Sequence, residues 1–182
     1  MRTGLSLSHF GFFVTDIDVM EDFYASTLGF TVTDRGVSPE RTIVFLSRDP
    51  DEHHQVVLAT GRPENLDYNV INQISLRADS LATLKNFHRQ LLTHSLVTDV
   101  QSVSHGNSLS VYARDPEGNR LELFIDLPYY TDQPCRIPFD LERDDDVILQ
   151  DAERVARSLP GFCSREEWRA RIEKQMGITD TR

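Results

Sequence analysis

The chain has 182 residues, 39% of them hydrophobic and ten of them phenylalanine, enough apolar material for one domain or for two small halves sharing a core. Nineteen Lys and Arg against 29 Asp and Glu leave a net charge of −10, which disfavours nucleic acid and an anionic membrane surface as partners. Two isolated cysteines, Cys135 and Cys163, do not make a disulfide scaffold, and no apolar run approaches the roughly 18 residues of a membrane span, so a soluble cytoplasmic protein is expected.

Residues 9–15 (HFGFFVT) read as a buried strand rich in aromatic and β-branched side chains. Asp16 or Asp18 then opens a helix, with Asp18 and Glu21 at the spacing of a capping box. Met20, Phe23 and Leu28 supply its apolar face, and Gly29 stops it. Residues 43–50 (IVFLSRDP) form a strand closed by Asp-Pro, and His54–Ala59 form the next. The order then repeats. QISLRA at 73–78 is strand-like, Ser80 caps a helix, and Leu84, Phe87 and Leu92 fall 64 residues after Met20, Phe23 and Leu28. LSVYARDP at 109–116 matches IVFLSRDP at a shift of 66, and Arg120–Ile125 follows as a strand.

This pattern predicts an α+β fold of paired βαβββ modules, residues 6–60 and 70–126, joined by a linker at 61–70. One such half leaves a sheet face uncovered, so two are needed to complete a core. Residues 126–139, with three prolines, read as an extended arm. Asp144–Asp146 open a helix with Ile148, Ala152, Val155 and Leu159 on one face, and Ser164 with Glu167 caps a short helix containing Trp168, Ile172 and Met176. The aspartate run lacks the spaced ligands and glycine of a calcium loop. The boundaries are therefore 1–127 for the duplicated domain and 128–182 for the arm and helical extension.

Glu122 is the most informative single residue. Strand parity turns it away from Leu121 and Leu123 to the side of Arg120 and Phe124, where a carboxylate either meets solvent or enters a polar cavity. His9 on the opening strand is either a structural residue or a ligand. His53 and His54 follow in sequence on a third strand and so point to opposite faces, with His53 turned away from the cavity. His105 lies in a Ser-His-Gly-Asn-Ser loop, and Tyr112 lies on the strand that follows. Phe10, Phe12, Phe13 and Phe45 either wall a cavity or fill the core.

The segments LSHFGFFVTD, FYASTLGF, FLSRDPDEHHQVVLA and VYARDPEGNRLELF resemble the vicinal-oxygen-chelate superfamily over about residues 6–127. That superfamily includes glyoxalase I, fosfomycin and bleomycin resistance proteins, and type I extradiol dioxygenases. The doubled His53-His54 and the ten-residue interval from Tyr112 to Glu122 most resemble the catalytic domain of the extradiol dioxygenases. The resemblance implies a cup-shaped mixed sheet around a divalent metal ion, Fe(II) first, with Mn(II), Zn(II) or no metal as alternatives. It makes His9 and Glu122 metal ligands and puts Gln73 where the family has its second histidine. It also makes His54 the acid–base histidine, Tyr112 a hydrogen-bonding partner of the substrate or the metal-bound oxygen, and His105 a contact to the catechol. A glutamine carbonyl is a neutral oxygen donor and binds Fe(II) less strongly than imidazole. The implied function is extradiol cleavage of a catecholic compound, with a small aromatic diol and O2 as partners. The implied assembly is a homodimer in which Pro128, Tyr129, Tyr130 and Pro134 anchor the arm. The alternatives are another metal-dependent, glyoxalase-like lyase or epimerase, and a metal-free protein that binds a small ligand.

Overall fold

The computed structural model describes residues 6–65 and 68–178. The first module runs β1 (Phe10–Val14), α1 (Ile17–Asp22) with a π-helical turn (Phe23–Thr27), β2 (Thr31–Val37), β3 (Thr42–Ser47) and β4 (Val56–Thr60). The second runs β5 (Ile74–Arg77), α2 (Leu81–Thr93), β6 (Thr98–Ser104), β7 (Ser108–Arg114) and β8 (Arg120–Asp126). The sheets have the same order, β1-β4-β3-β2 and β5-β8-β7-β6. In each, the first strand pairs parallel with the last while the remaining pairs are antiparallel. The fold is thus the duplicated βαβββ arrangement that the repeat predicts.

Alternation decides which side chains enter the core. On β8, Leu121, Leu123 and Ile125 are buried beneath the helices, and on β1 Val14 is buried on that side with Phe10 and Phe12 packed against the same core. Gly11 and Phe13 face the other way, as do Val57 and Phe45, their neighbours across the sheet. Of the four phenylalanines, Phe13 and Phe45 therefore line the open face, and Phe10 and Phe12 pack towards the core.

Two local expectations are corrected. Asp16, rather than an Asp18–Glu21 box, caps α1 by accepting the N–H groups of Asp18 and Val19, while Glu21 pairs with Arg35. In the second helix Leu91, not Leu92, is buried; Leu92 is 56% exposed. The π-helical turn explains the slip. Met20 and Leu84 correspond at a shift of 64, but a π turn holds one more residue than an α turn, so beyond it Leu28 corresponds to Leu91.

The modules are tied by Glu117, in the β7–β8 turn. Its carboxylate accepts the N–H groups of Thr15 and Asp16 at 2.7 and 2.8 Å and pairs with Arg62 at 3.1 Å. Beyond β8, the arm contributes β9 (Tyr129–Tyr130) and β10 (Ile137–Pro138), followed by α3 (Asp145–Arg157), β11 (Cys163–Ser164) and α4 (Arg165–Gln175). β10 covers the edge of β6, where a proline is tolerated. Ile148, Ala152 and Ala156 form the buried stripe of α3, and Lys85 of α2 reaches the Arg143 carbonyl at 2.6 Å. Val155 and Leu159 are only half-buried. Ser164 and Glu167 cap α4 reciprocally. The aromatic anchors of the arm are engaged within the chain: Tyr129 is buried and Tyr130 stacks on Trp168 at 5.5 Å. No described helix is long and apolar enough to cross a membrane.

Candidate functional site

The centre of the open face of the second module is Glu122. Tyr112 stands directly opposite it in the antiparallel β7–β8 pair, and Ser75 stands beside it in the parallel β5–β8 pair. Residues two positions along a strand share a face, so Gln73 and Ser110 join them. Glu122 Oε1 accepts from Ser110 Oγ at 2.9 Å and from the Tyr112 hydroxyl at 2.7 Å. Oε2 accepts from Ser75 Oγ at 2.6 Å and from Gln73 Nε2 at 2.9 Å. Four donors match the about four lone-pair sites of a carboxylate. Such bonding makes a buried anion tolerable without a cation. Facing a carboxylate, the Gln73 amide must present nitrogen, so its carbonyl is turned away.

His105 extends the network. Its Nδ1 lies 2.6 Å from the Cys135 carbonyl, which only accepts, so that nitrogen carries a hydrogen. Its Nε2 lies 2.9 Å from the Tyr112 hydroxyl and 3.6 Å from Glu122. The single phenolic hydrogen thus has two acceptors when His105 is neutral, and one when His105 is charged and donates to the phenol oxygen. A proton can move between His105 and Glu122 through Tyr112. Burial first, then the Glu122 hydrogen bond and charge, push the Tyr112 phenol up to about 12, so it remains protonated at neutral pH. The arm fixes this histidine: besides Cys135, Gln133 Nε2 donates to the His105 carbonyl at 2.7 Å.

The other predicted residues form a second group. His9 lies one residue before β1, its ring 4.2 Å from that of His54. His53 and His54 precede β4 in a loop, so strand alternation does not separate them, and their Nδ1 atoms lie 2.8 Å apart. Burial, then the neighbouring His9 and His53, hold the His54 imidazole below its usual value. Phe45 packs against both His53 and His54. The structure thus joins Gln73, Glu122, Tyr112 and His105 in one hydrogen-bonded network, and packs His9, His53 and His54 against one another.

A metal centre of the implied kind needs three donors facing one point. Here Glu122 has filled both oxygens, Gln73 turns its N–H group to Glu122, and His9 stands against His54. Among the described residues, no three His, Cys, Asp or Glu side chains are placed to hold one ion. As oriented here, Gln73 and Glu122 are committed to each other rather than to an ion.

Strand parity alone could have added Ser75 and Ser110, each two positions from a flagged residue. Arg120 and Arg136, whose guanidinium carbons lie 4.5 and 5.0 Å from the Tyr112 ring centroid, left less signal. Arg136 comes from the arm, and its proximity to Tyr112 depends on tertiary packing.

The family model of the Glyoxalase/Bleomycin resistance protein/Dioxygenase superfamily matches residues 6–123, and the chain belongs to that superfamily. It is 32% identical over 125 residues to biphenyl-2,3-diol 1,2-dioxygenase 3 of Rhodococcus globerulus, a match covering 66% of this chain and 63% of that protein. It therefore spans somewhat less than two thirds of that relative's length. Among solved structures, a glyoxylase/bleomycin resistance protein/dioxygenase domain from Frankia sp. EAN1pec is similar, with a TM-score of 0.59, 17% identity, and coverage of 69% of this chain and 94% of that one. The fosfomycin resistance protein FosX of Listeria monocytogenes is similar with a TM-score of 0.53 and 14% identity, over 70% and 95% of the two chains. At these identities the solved structures speak for the fold alone.

Proposed function

We propose that the chain binds a small, oxygen-substituted aromatic compound on the open face of its second module. Glu122, Tyr112 and His105 exchange a proton with it, without a three-ligand metal centre. The observation that carries this reading is the four-donor shell of Glu122, in which two of the three expected ligand positions hydrogen-bond each other. A ligand oxygen entering between His105 and Tyr112 meets a phenol that donates and an imidazole whose tautomer is fixed by the Cys135 carbonyl. This is acid–base machinery suited to binding, isomerisation or elimination.

The test is calorimetric titration of chelator-treated protein with a panel of phenols, catechols and hydroxybenzoates, in the wild type and in Tyr112→Phe. Binding that survives chelation and weakens about tenfold in Tyr112→Phe, the loss of one hydrogen bond to ligand, supports the reading. Binding that requires added metal, or no binding at all, contradicts it.

A second reading, ring cleavage of a catecholic diol, is favoured by the dioxygenase relative and by the Tyr112–Glu122 interval. Oxygen uptake with a catechol by Fe(II)-supplemented protein would favour it over the first.

A further inference from the structure

The open face of the second module carries an excess of arginine in a chain whose net charge is −10. Arg114 and Arg120 stand directly opposite each other in the β7–β8 pair, on the same face as Tyr112 and Glu122. Like charges in that relation destabilise a sheet. Arg114 is partly answered by Asp99, at 3.9 Å. Arg120 has no carboxylate partner among the described residues; its guanidinium lies over the Tyr112 ring. Arg136 approaches the same ring and spends a donor on Gln101 Oε1, a neutral acceptor, at 2.8 Å. Further along the sheet, Arg77 of β5 and Arg165, at the start of α4, share one acid, Asp126 of β8, each at 2.9 Å. Five guanidinium groups thus face three carboxylates, and Glu122 is already saturated.

Arg120 is also a wall of a cavity of about 300 Å³ at the junction of the modules. The rest of its lining includes Phe12, Phe13, Val70, Ile71 and Ile74. That volume is at the small end of ligand pockets, sized for an aromatic ring with substituents. Of the two guanidinium groups that line this apolar cavity, Arg62 is paired with Glu117, while Arg120 has no carboxylate partner among the described residues and packs, like Arg136, on the Tyr112 ring; such a cavity is complementary to one chemical class.

We infer that the ligand is an aromatic carboxylate, its ring in the junction cavity and its anionic group held by Arg120 with Arg136. The inference rests on the proposed small-aromatic reading and adds the charge of the ligand and the residues that select it. A planar guanidinium fork suits a carboxylate. The positive face also steers an anion to a protein that otherwise repels it.

The experiment compares 4-hydroxybenzoate and 3,4-dihydroxybenzoate with their methyl esters, by calorimetry on chelator-treated protein. The proteins are the wild type, Arg120→Gln, Arg120→Lys and Arg136→Gln. The wild type is expected to bind each acid about tenfold or more tighter than its ester, a preference that shrinks with added salt. Arg120→Gln is expected to bring acid and ester to equal affinity with the far-ultraviolet circular dichroism spectrum unchanged, and Arg120→Lys to keep part of the preference. Arg136→Gln reduces it. Acid and ester binding equally well to the wild type would overturn the inference and leave the aromatic-binding reading standing. So would a preference that both Arg→Gln variants retain in full. Failure of acids and esters alike to bind would overturn both. A variant that loses the native spectrum is replaced in the comparison by the salt dependence of the wild type: a salt-independent preference counts against the inference.

Discussion

Glu122 shows how one strand position gathers a site. Its two neighbouring strands bring Ser75 and Tyr112 alongside, and period-two alternation adds Gln73 and Ser110. Glu122→Gln removes the anion and places an amide N–H group where a donor is already present. The expected cost is about 1–3 kcal/mol in urea denaturation, the penalty for a buried polar group left mispaired. The same change lowers the Tyr112 phenol from about 12 towards its ordinary value, because the Glu122 bond and charge are two of the causes that raise it. Burial remains, so the return is partial. Carbon-13 spectra of ring-labelled tyrosine, with Tyr112→Phe to assign the signal, follow this titration; an unmoved midpoint would show that Glu122 does not govern the phenol.

The turns and the arm hold that site in place. In the β7–β8 turn, Asp115 accepts the N–H groups of Glu117 and Asn119 at 3.0 and 2.8 Å, yet burial outweighs these bonds and raises its carboxyl from 3.8 to about 6. The folded protein therefore binds more protons than the unfolded chain between those values. The associated stability is present in full below about pH 4 and lost as pH rises through 6, by about 3 kcal/mol. Asp115→Asn should flatten that part of the stability curve measured by urea denaturation at stepped pH; an unchanged slope would assign it to another group. In the β6–β7 loop, Gly106 has φ +77°, and a Cβ there would run into Thr131 Oγ1 of the arm. Gly106→Ala is expected to cost about 1–3 kcal/mol through backbone strain, seen as a lowered Tm, and to displace His105 beside it. The duplicated elements were legible because the strands, both Asp-Pro turns and the Ser80 cap recur locally in the sequence. The slip at Leu92 arose because an inserted helical residue changes the phase of the apolar face without changing its composition. The pairing of His105 with Cys135, and of Arg136 with Tyr112, was not legible. Those contacts depend on how the arm returns to the sheet.

At the scale of the molecule, one core spans both modules, and Glu117 bridges them between β1 and the β7–β8 turn. The superfamily fold supplies an open face whose chemistry is set by the residues on it. In this chain that face carries a saturated carboxylate, a proton path through Tyr112 and an arginine excess. The commitment of Gln73 and of both Glu122 oxygens to hydrogen bonds with each other and with Ser75, Ser110 and Tyr112 is the physical basis for reading that face as a ligand-binding acid–base site. Gln73→His, by replacing an amide donor with an imidazole, is expected to raise Fe(II) retention over the wild type, measured by plasma mass spectrometry after anaerobic desalting. Unchanged retention would show that position 73 is not what limits metal binding. The most direct measurement is the same metal count on the wild-type protein after anaerobic incubation with excess Fe(II). The account predicts no stoichiometric iron, and the same low value in Glu122→Ala. One Fe(II) per chain in the wild type, lost in Glu122→Ala, would contradict it.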